Sequence, residues 1–142
     1  MKPLLADVKN PVNNKMEKRL HLEGIGFKYN MLNITGRWYS EEEIDNAVEN
    51  EENGYRNVIN ANRATGEIMH PDYTVLNLKE SAVKIVKFEK QPPNYYMVKM
   101  LILDTPSGEL LKQIVKDVTV GASSRGVDQD RRFMQRFQGV CH

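Results

Sequence analysis

The chain has little of what a metal or redox enzyme needs. Of 142 residues one is cysteine, Cys141, so no internal disulfide can form. His21, His70 and His142 are scattered and share no ligand spacing with each other or with Cys141, so neither a zinc site nor any other cofactor is expected. No apolar run approaches the ~20 residues of a membrane-spanning helix. Met1-Lys-Pro-Leu-Leu-Ala6 is too short for the apolar core of a signal peptide, and the chain is expected in the cytosol where it is made. A net charge of +1 leaves no global basic excess, so nucleic acid is not an expected partner. The one basic cluster, Arg131-Arg-Phe-Met-Gln-Arg-Phe137, fits a frayed helix or a solvated tail, with a DNA or acidic protein surface as its other use. Internal repeats, low-complexity stretches and interdomain linkers are all missing.

What is present suits one globular domain: 40% hydrophobic against 27% charged residues is ordinary for a folded protein and unlike a disordered one. Residues 1–18 are polar, hold two prolines and lack periodicity, and are read as a flexible N-terminal arm. Leu20 and Leu22, then Ile25, Phe27 and Tyr29, predict one or two strands, with Gly24 and Gly26 allowing a bulge or a close backbone contact. Ser40-Glu-Glu-Glu43 has the form of a capping box and predicts a helix start, with Ile44, Ala47 and Val48 on one face and Asn53-Gly54 as the stop. The acidic run Glu41 to Glu43 thereby has a structural explanation, since acids favour the positive end of the helix dipole.

A second helical piece is expected over residues 55–60, ending in a turn at Thr65-Gly66. Two β-rich runs, residues 81–90 and 95–104, are separated by Gln91-Pro-Pro-Asn94 and read as a hairpin with a four-residue loop. The second run is nearly all apolar, so it should be buried on both faces and central in its sheet. Thr105-Pro-Ser-Gly108 is a turn, after which Leu110, Leu111, Ile114, Val115 and Val118 recur at helical spacing.

The stretch Val118-Thr-Val-Gly-Ala-Ser-Ser-Arg-Gly126 ends an apolar run in two hydroxyls, an arginine and a glycine, which is how a nucleophilic serine is presented. About 50 residues upstream, Gly66-Glu-Ile-Met-His-Pro71 supplies a histidine fixed ahead of a proline. A serine hydroxyl attacks a carbonyl at neutral pH only if a base takes its proton, and histidine suits that task. Taken alone, His70 also fits an ordinary loop and Ser-Ser-Arg-Gly an ordinary turn.

These two segments resemble the prohead core proteases of T-even-type tailed bacteriophages, herpesvirus-assemblin-like serine proteases. In that family a histidine in a G-E-L-x-H-P-like segment pairs with the first serine of S-S-R-G. The matching positions here are His70 and Ser123. Asn33-Ile-Thr-Gly-Arg-Trp-Tyr39 resembles the family's N-x-N-G-R-x-Y, and Asp104-Thr-Pro-Ser-Gly108 its D-T-P-x-G-x-x-L. The likeness spans about residues 20 to 126. It implies an α+β fold, a small and mostly antiparallel β-barrel flanked by helices, with a protease-like domain over residues 19–126. It further implies a protease that digests the internal scaffold, trims capsid proteins and finally degrades itself inside the prohead, where it is present in multiple copies. Ser123 would be the nucleophile and His70 the general base, with the backbone N–H groups of Arg125 and Gly126 as the oxyanion site.

After Gly126 the resemblance stops. The family continues with further strands and a D-x-V-x-x-P-S segment whose acid completes the catalytic set, whereas residues 127–142 form a short, polar, basic tail. The C-terminal strands of the barrel are then lacking. Asp72 is the candidate replacement for the acid, ahead of Asp128 and Asp130. The alternative function is a catalytically weak or inactive relative that serves as a scaffold or virion structural protein. Proteases resembling this family cut after glutamate with an aliphatic residue two positions earlier. Leu78-Lys-Glu80 is the one such tripeptide in the chain, expected at the entry to the first strand of the hairpin, where packing would protect it until the region opens locally.

Overall fold

The computed structural model describes residues 1–32, 36–68 and 78–122, together with the backbone of Val140 and Cys141. In chain order the elements are β1 (Lys2–Lys9), β2 (Met16–Lys28), α1 (Glu41–Glu49), α2 (Tyr55–Asn60) and β3 (Thr65–Glu67). A short 3-10 turn (Leu78–Glu80) follows, then β4 (Ser81–Gln91), β5 (Tyr95–Ile102), α3 (Pro106–Ile114), β6 (Gly121–Ala122) and β7 (Val140–Cys141). Five strands make one antiparallel sheet in the order β1-β2-β5-β4-β3, and β6 pairs with β7 separately.

The nearly continuous apolar run is β5, and it is central, as its composition predicts. Its two faces are not equally covered: Tyr96, Val98, Met100 and Ile102 are buried on one, while Tyr95, Met97 and Lys99 on the other are only partly covered. On the buried face Leu22, Met100 and Ile85 stand side by side across β2, β5 and β4, and Val98 pairs with Phe88 in the neighbouring row. Phe88 lies 5.2 Å from Tyr96 and 6.0 Å from Phe27 and Tyr55, centroid to centroid, so aromatics fill this end of the core. Register shifts occur at Gly26 in β2 and at Val86 in β4, the two strands that flank β5. Each is an extra residue that bends its strand around the centre.

The helices cover that core. Ser40 caps α1 as its sequence predicts, its Oγ accepting from the Glu43 N–H at 3.0 Å, and Ile44 and Val48 are fully buried. The α1 helix ends at Glu49 with Asn50 as its cap, and Gly54, expected to stop it, instead begins α2. The reason is a close approach: a Cβ on Gly54 would come within 2.5 Å of the Asn50 backbone. Helix α2 spans the expected residues, and α3 packs Leu111 against β4 and β5. Leu110, part of the expected apolar face, is exposed.

Four expectations about the sheet are corrected. The sheet is not closed into a barrel: among the described residues β1 and β3 remain opposite edges, and three-residue β3 is too short to pair along eight-residue β1. Thr65-Gly66, expected as a turn, opens β3, because Thr65 and Gly66 pair with Lys84 and Val83. The segment read as a flexible arm carries β1, paired with β2 from Lys2↔Glu23 to Lys9↔Met16. Its residues alternate between exposed and partly buried without a fully buried member, so the strand depends on β2 and has no strong apolar signal of its own. The hairpin between β4 and β5 is tighter than expected, since Gln91 pairs with Tyr95 and leaves three loop residues.

Candidate active site

His70 and Asp72 lie outside the described residues, as do Ser123, Arg125 and Gly126. So do Asp128, Asp130 and the basic cluster of residues 131–137. What the structure supplies is the framework from which the two candidate segments depart. Ile68, two residues before His70, and Ala122, the residue before Ser123, both pack against the same hydrophobic core. Ser123 therefore follows a two-residue strand at the core's margin, and not one of the long core strands.

The first approach runs along β3. Glu67 and Ser81 are paired across β3 and β4, and each is only 3% exposed. Burying a carboxylate is costly unless it is compensated, so Glu67 is a placed group. Nothing in its local sequence alone gives it a role. The available signal was the family-like Gly66-Glu67 pair itself, but strand pairing is what makes the position interior. Ser81 also starts β4, and its carbonyl accepts from Thr105 Oγ1 at 2.5 Å.

The second approach runs through α3, and the structure accounts for most of the Asp104-Thr-Pro-Ser-Gly108 motif. Thr105 is the N-cap, its Oγ1 accepting from the Gly108 N–H at 3.0 Å, and Pro106 occupies the first helical position, where no N–H is needed. At Gly108 an added Cβ would fall 1.8 Å from the Leu103 carbonyl oxygen, so no side chain fits. Asp104 receives Lys112 Nζ at 2.5 Å and Arg19 Nη2 at 3.2 Å, and the lysine, ahead of the arginine, holds its carboxyl below the usual range. Past α3 the chain turns through Val118, whose N–H donates to the Ile114 carbonyl, and re-enters the core at Val120.

Of Asn33-Ile-Thr-Gly-Arg-Trp-Tyr39, the first three residues lie outside the described set. Gly36 has φ +78°, a left-handed conformation that favours glycine, and Leu32 bridges to Trp38. Asn30 closes this loop onto α1, its side chain accepting from the Glu41 N–H at 2.9 Å.

A separate electrostatic cluster sits between α1 and the sheet. Lys90 Nζ donates to Asp45 at 2.6 Å and Glu41 at 2.8 Å, which raises its pKa, and Tyr96 donates to Asp45 at 2.7 Å. Burial first, and the Asp45 bond second, push the Tyr96 hydroxyl up. Among the described residues, the open acidic depression along α1 is lined by Glu41, Glu42, Asp45 and Glu49, with Asn46 and Asn50. The expectation that the acidic run serves α1 is consistent with this placement. Among the described residues no group of three or more His, Cys, Asp or Glu is arranged to hold a metal ion, and no helix is long and apolar enough to cross a membrane.

No curated protein sequence matches the chain. Among solved structures it resembles the capsid assembly protease gp21 of bacteriophage T4, with a TM-score of 0.65 and 18% identity over 97% of this chain and 89% of that one. That likeness is one of fold: helices flanking an antiparallel sheet. The sequence profile of the prohead core protein serine proteases matches residues 2–139, which extends the family pattern past Gly126, where the sequence reading ended it, and ahead of residue 20, where that reading began it. With nearly the whole chain matched, the protein belongs to the prohead core protein serine protease family.

Proposed function

We propose that the protein is a phage prohead-maturation serine endopeptidase that cleaves internal scaffold and capsid proteins during head assembly. Ser123 is its nucleophile and His70 its general base. The observation that carries this reading is that both segments leave one shared core, at Ile68 and at Ala122, in a chain of this family. Ser123 Oγ attacks the scissile carbonyl carbon while His70 accepts the hydroxyl proton, and His70 then passes that proton to the leaving amine. The tetrahedral oxyanion is received by the backbone N–H groups of Arg125 and Gly126, a contribution worth roughly 3 kcal/mol per donor in enzymes of this kind. Asp72 is the candidate acid that orients His70. The protein is made in the host cytoplasm and works in several copies inside the prohead, with scaffold and capsid proteins as its partners.

The alternative, an inactive relative with a structural role, draws its support from an end of the family pattern at Gly126. The family match reaching residue 139 favours the active reading over it, because the family pattern does not end at Gly126. The test is cleavage of the cognate scaffold by purified protein: Ser123→Ala abolishes it, and Ser124→Ala has a milder effect. Equal loss from both substitutions, or none from Ser123→Ala, rules out Ser123 as the nucleophile.

A further inference from the structure

We propose that Met1 and Gly24 are positioning residues for Ser123, forming a clamp that fixes the strand from which the nucleophile emerges. The inference rests on the reading of Ser123 given above and deepens it. The register Lys2↔Glu23 sets Met1 beside Gly24, and Gly24 pairs with Val98 on the face of the sheet that Leu22 and Val98 turn to the core. A Cβ on Gly24 would lie 3.1 Å from both Met1 Cα and Met1 Cγ. Met1 thus occupies the space that a side chain at position 24 would fill, and it packs partly buried against the core.

From that seat the Met1 backbone nitrogen donates to the Val120 carbonyl at 2.6 Å. Val120 is 4% exposed within the core cluster, and the next two residues, Gly121 and Ala122, pair with Cys141 and Val140. The strand is held by a side chain in the core, by the start of β1 and by β7. Ser123 is the next residue, three positions past Val120 and so within about 11 Å of it along the chain. A displacement of about 1 Å in a reacting group can cost about 100-fold in rate, so a bond that fixes Val120 reaches the chemistry without touching substrate. The clamp is also separable from the fold. No residue of β1 is fully buried, and an edge strand of this kind opens locally at little cost to the rest of the sheet.

The test is the graded series Gly24→Ala and Gly24→Val in the full chain, with Ser123→Ala alongside. Each variant is assayed for kcat and KM on scaffold, for the rate of labelling by a serine-directed fluorophosphonate, for melting temperature and for amide exchange. Expected are a kcat and a labelling rate that fall together, by about 10-fold or more in Gly24→Val and less in Gly24→Ala, with KM within about twofold. The melting temperature holds or rises, since valine favours strands more than glycine does. Exchange protection is lost at Gly121 and Ala122 and kept in β5. Full kcat in both Gly24 variants overturns the clamp, and so does a kcat that falls only in step with melting temperature. Cleavage that survives Ser123→Ala overturns the reading of the nucleophile as well. Loss in Ser123→Ala with full activity in both Gly24 variants removes the clamp alone.

Discussion

Thr105 Oγ1 donates to the carbonyl of Ser81 at 2.5 Å, joining the cap of α3 to the first residue of β4. One hydroxyl thereby ties the strand that pairs with β3, on the way to His70, to the helix that leads to Ser123. Its second bond, accepted from the Gly108 N–H, is an ordinary helix cap. The two connections to the candidate active site therefore share a structural joint.

Loss of that joint should be measurable. Thr105→Val removes both bonds and is expected to destabilise the fold by about 1–2 kcal/mol, whereas Thr105→Ser keeps them and loses much less. Urea denaturation of the three proteins checks this, and equal midpoints for the valine and serine variants would contradict it. Gly108→Ala should be the more damaging change, on the order of 3 kcal/mol, because its methyl meets the fixed Leu103 carbonyl and not a movable side chain.

For the catalytic base, His70→Gln is expected to lower turnover by orders of magnitude at nearly unchanged thermal stability. Scaffold cleavage by the unmodified protein should decline as pH falls below the ordinary histidine pKa of about 6.5, where the imidazole is protonated and no longer accepts. A flat profile between about pH 5 and 8, or a large stability loss in His70→Gln, would make His70 a structural residue.

Self-cleavage is predicted between Glu80 and Ser81. Leu78, Lys79 and Glu80 are all exposed in a 3-10 turn at the entry to β4, the position expected for them, while Ser81 is buried at the start of that strand. The aliphatic and acidic side chains are accessible, yet a protease needs extended chain on both sides of the bond, so cleavage waits for local opening at Ser81. It should be slow, be accelerated by mild denaturant and by Thr105→Val, and vanish in Ser123→Ala. Mass spectrometry of aged protein reads the new Ser81 terminus; finding that terminus in Ser123→Ala protein would point to a different protease.

His21 should contribute to acid sensitivity. It is 2% exposed, its Nδ1 lies 2.9 Å from the Arg19 carbonyl, and burial lowers its pKa against the opposing effect of that contact, with the Lys99 and Arg19 charges adding to the decrease. The unfolded chain then binds a proton near pH 6.5 that the folded chain does not. This contribution to stability is complete above that pH and is lost as pH falls through the lower folded value. Urea midpoints at pH 7 and pH 5 should differ less in His21→Leu than in the unmodified protein, and an unchanged difference would exclude His21 as a source.

Local chemistry in the sequence determined the start of α1, the bounds of α2, one hairpin and the identity of the central strand, whereas Thr105-Pro-Ser-Gly108, expected as a turn, is the cap and first turn of α3. Ser40 caps α1 through an atom three residues from its partner, α2 has the expected bounds, and the apolar run of β5 could be satisfied only in the middle of a sheet. The family was legible as well, because it resides in short ordered motifs. Tertiary structure alone decided what depends on distant partners. Thr65-Gly66 pairs instead of turning because β4 lies beside it, and residues 2–9 are a strand because β2 offers its edge. Glu67 is interior only once β3 is seated, and Gly24 is explained by Met1, a neighbour across the sheet and far away in the chain. Capping and turns act over a few residues and can be read in order, whereas strand pairing and close approach are set by residues that sequence position does not bring together.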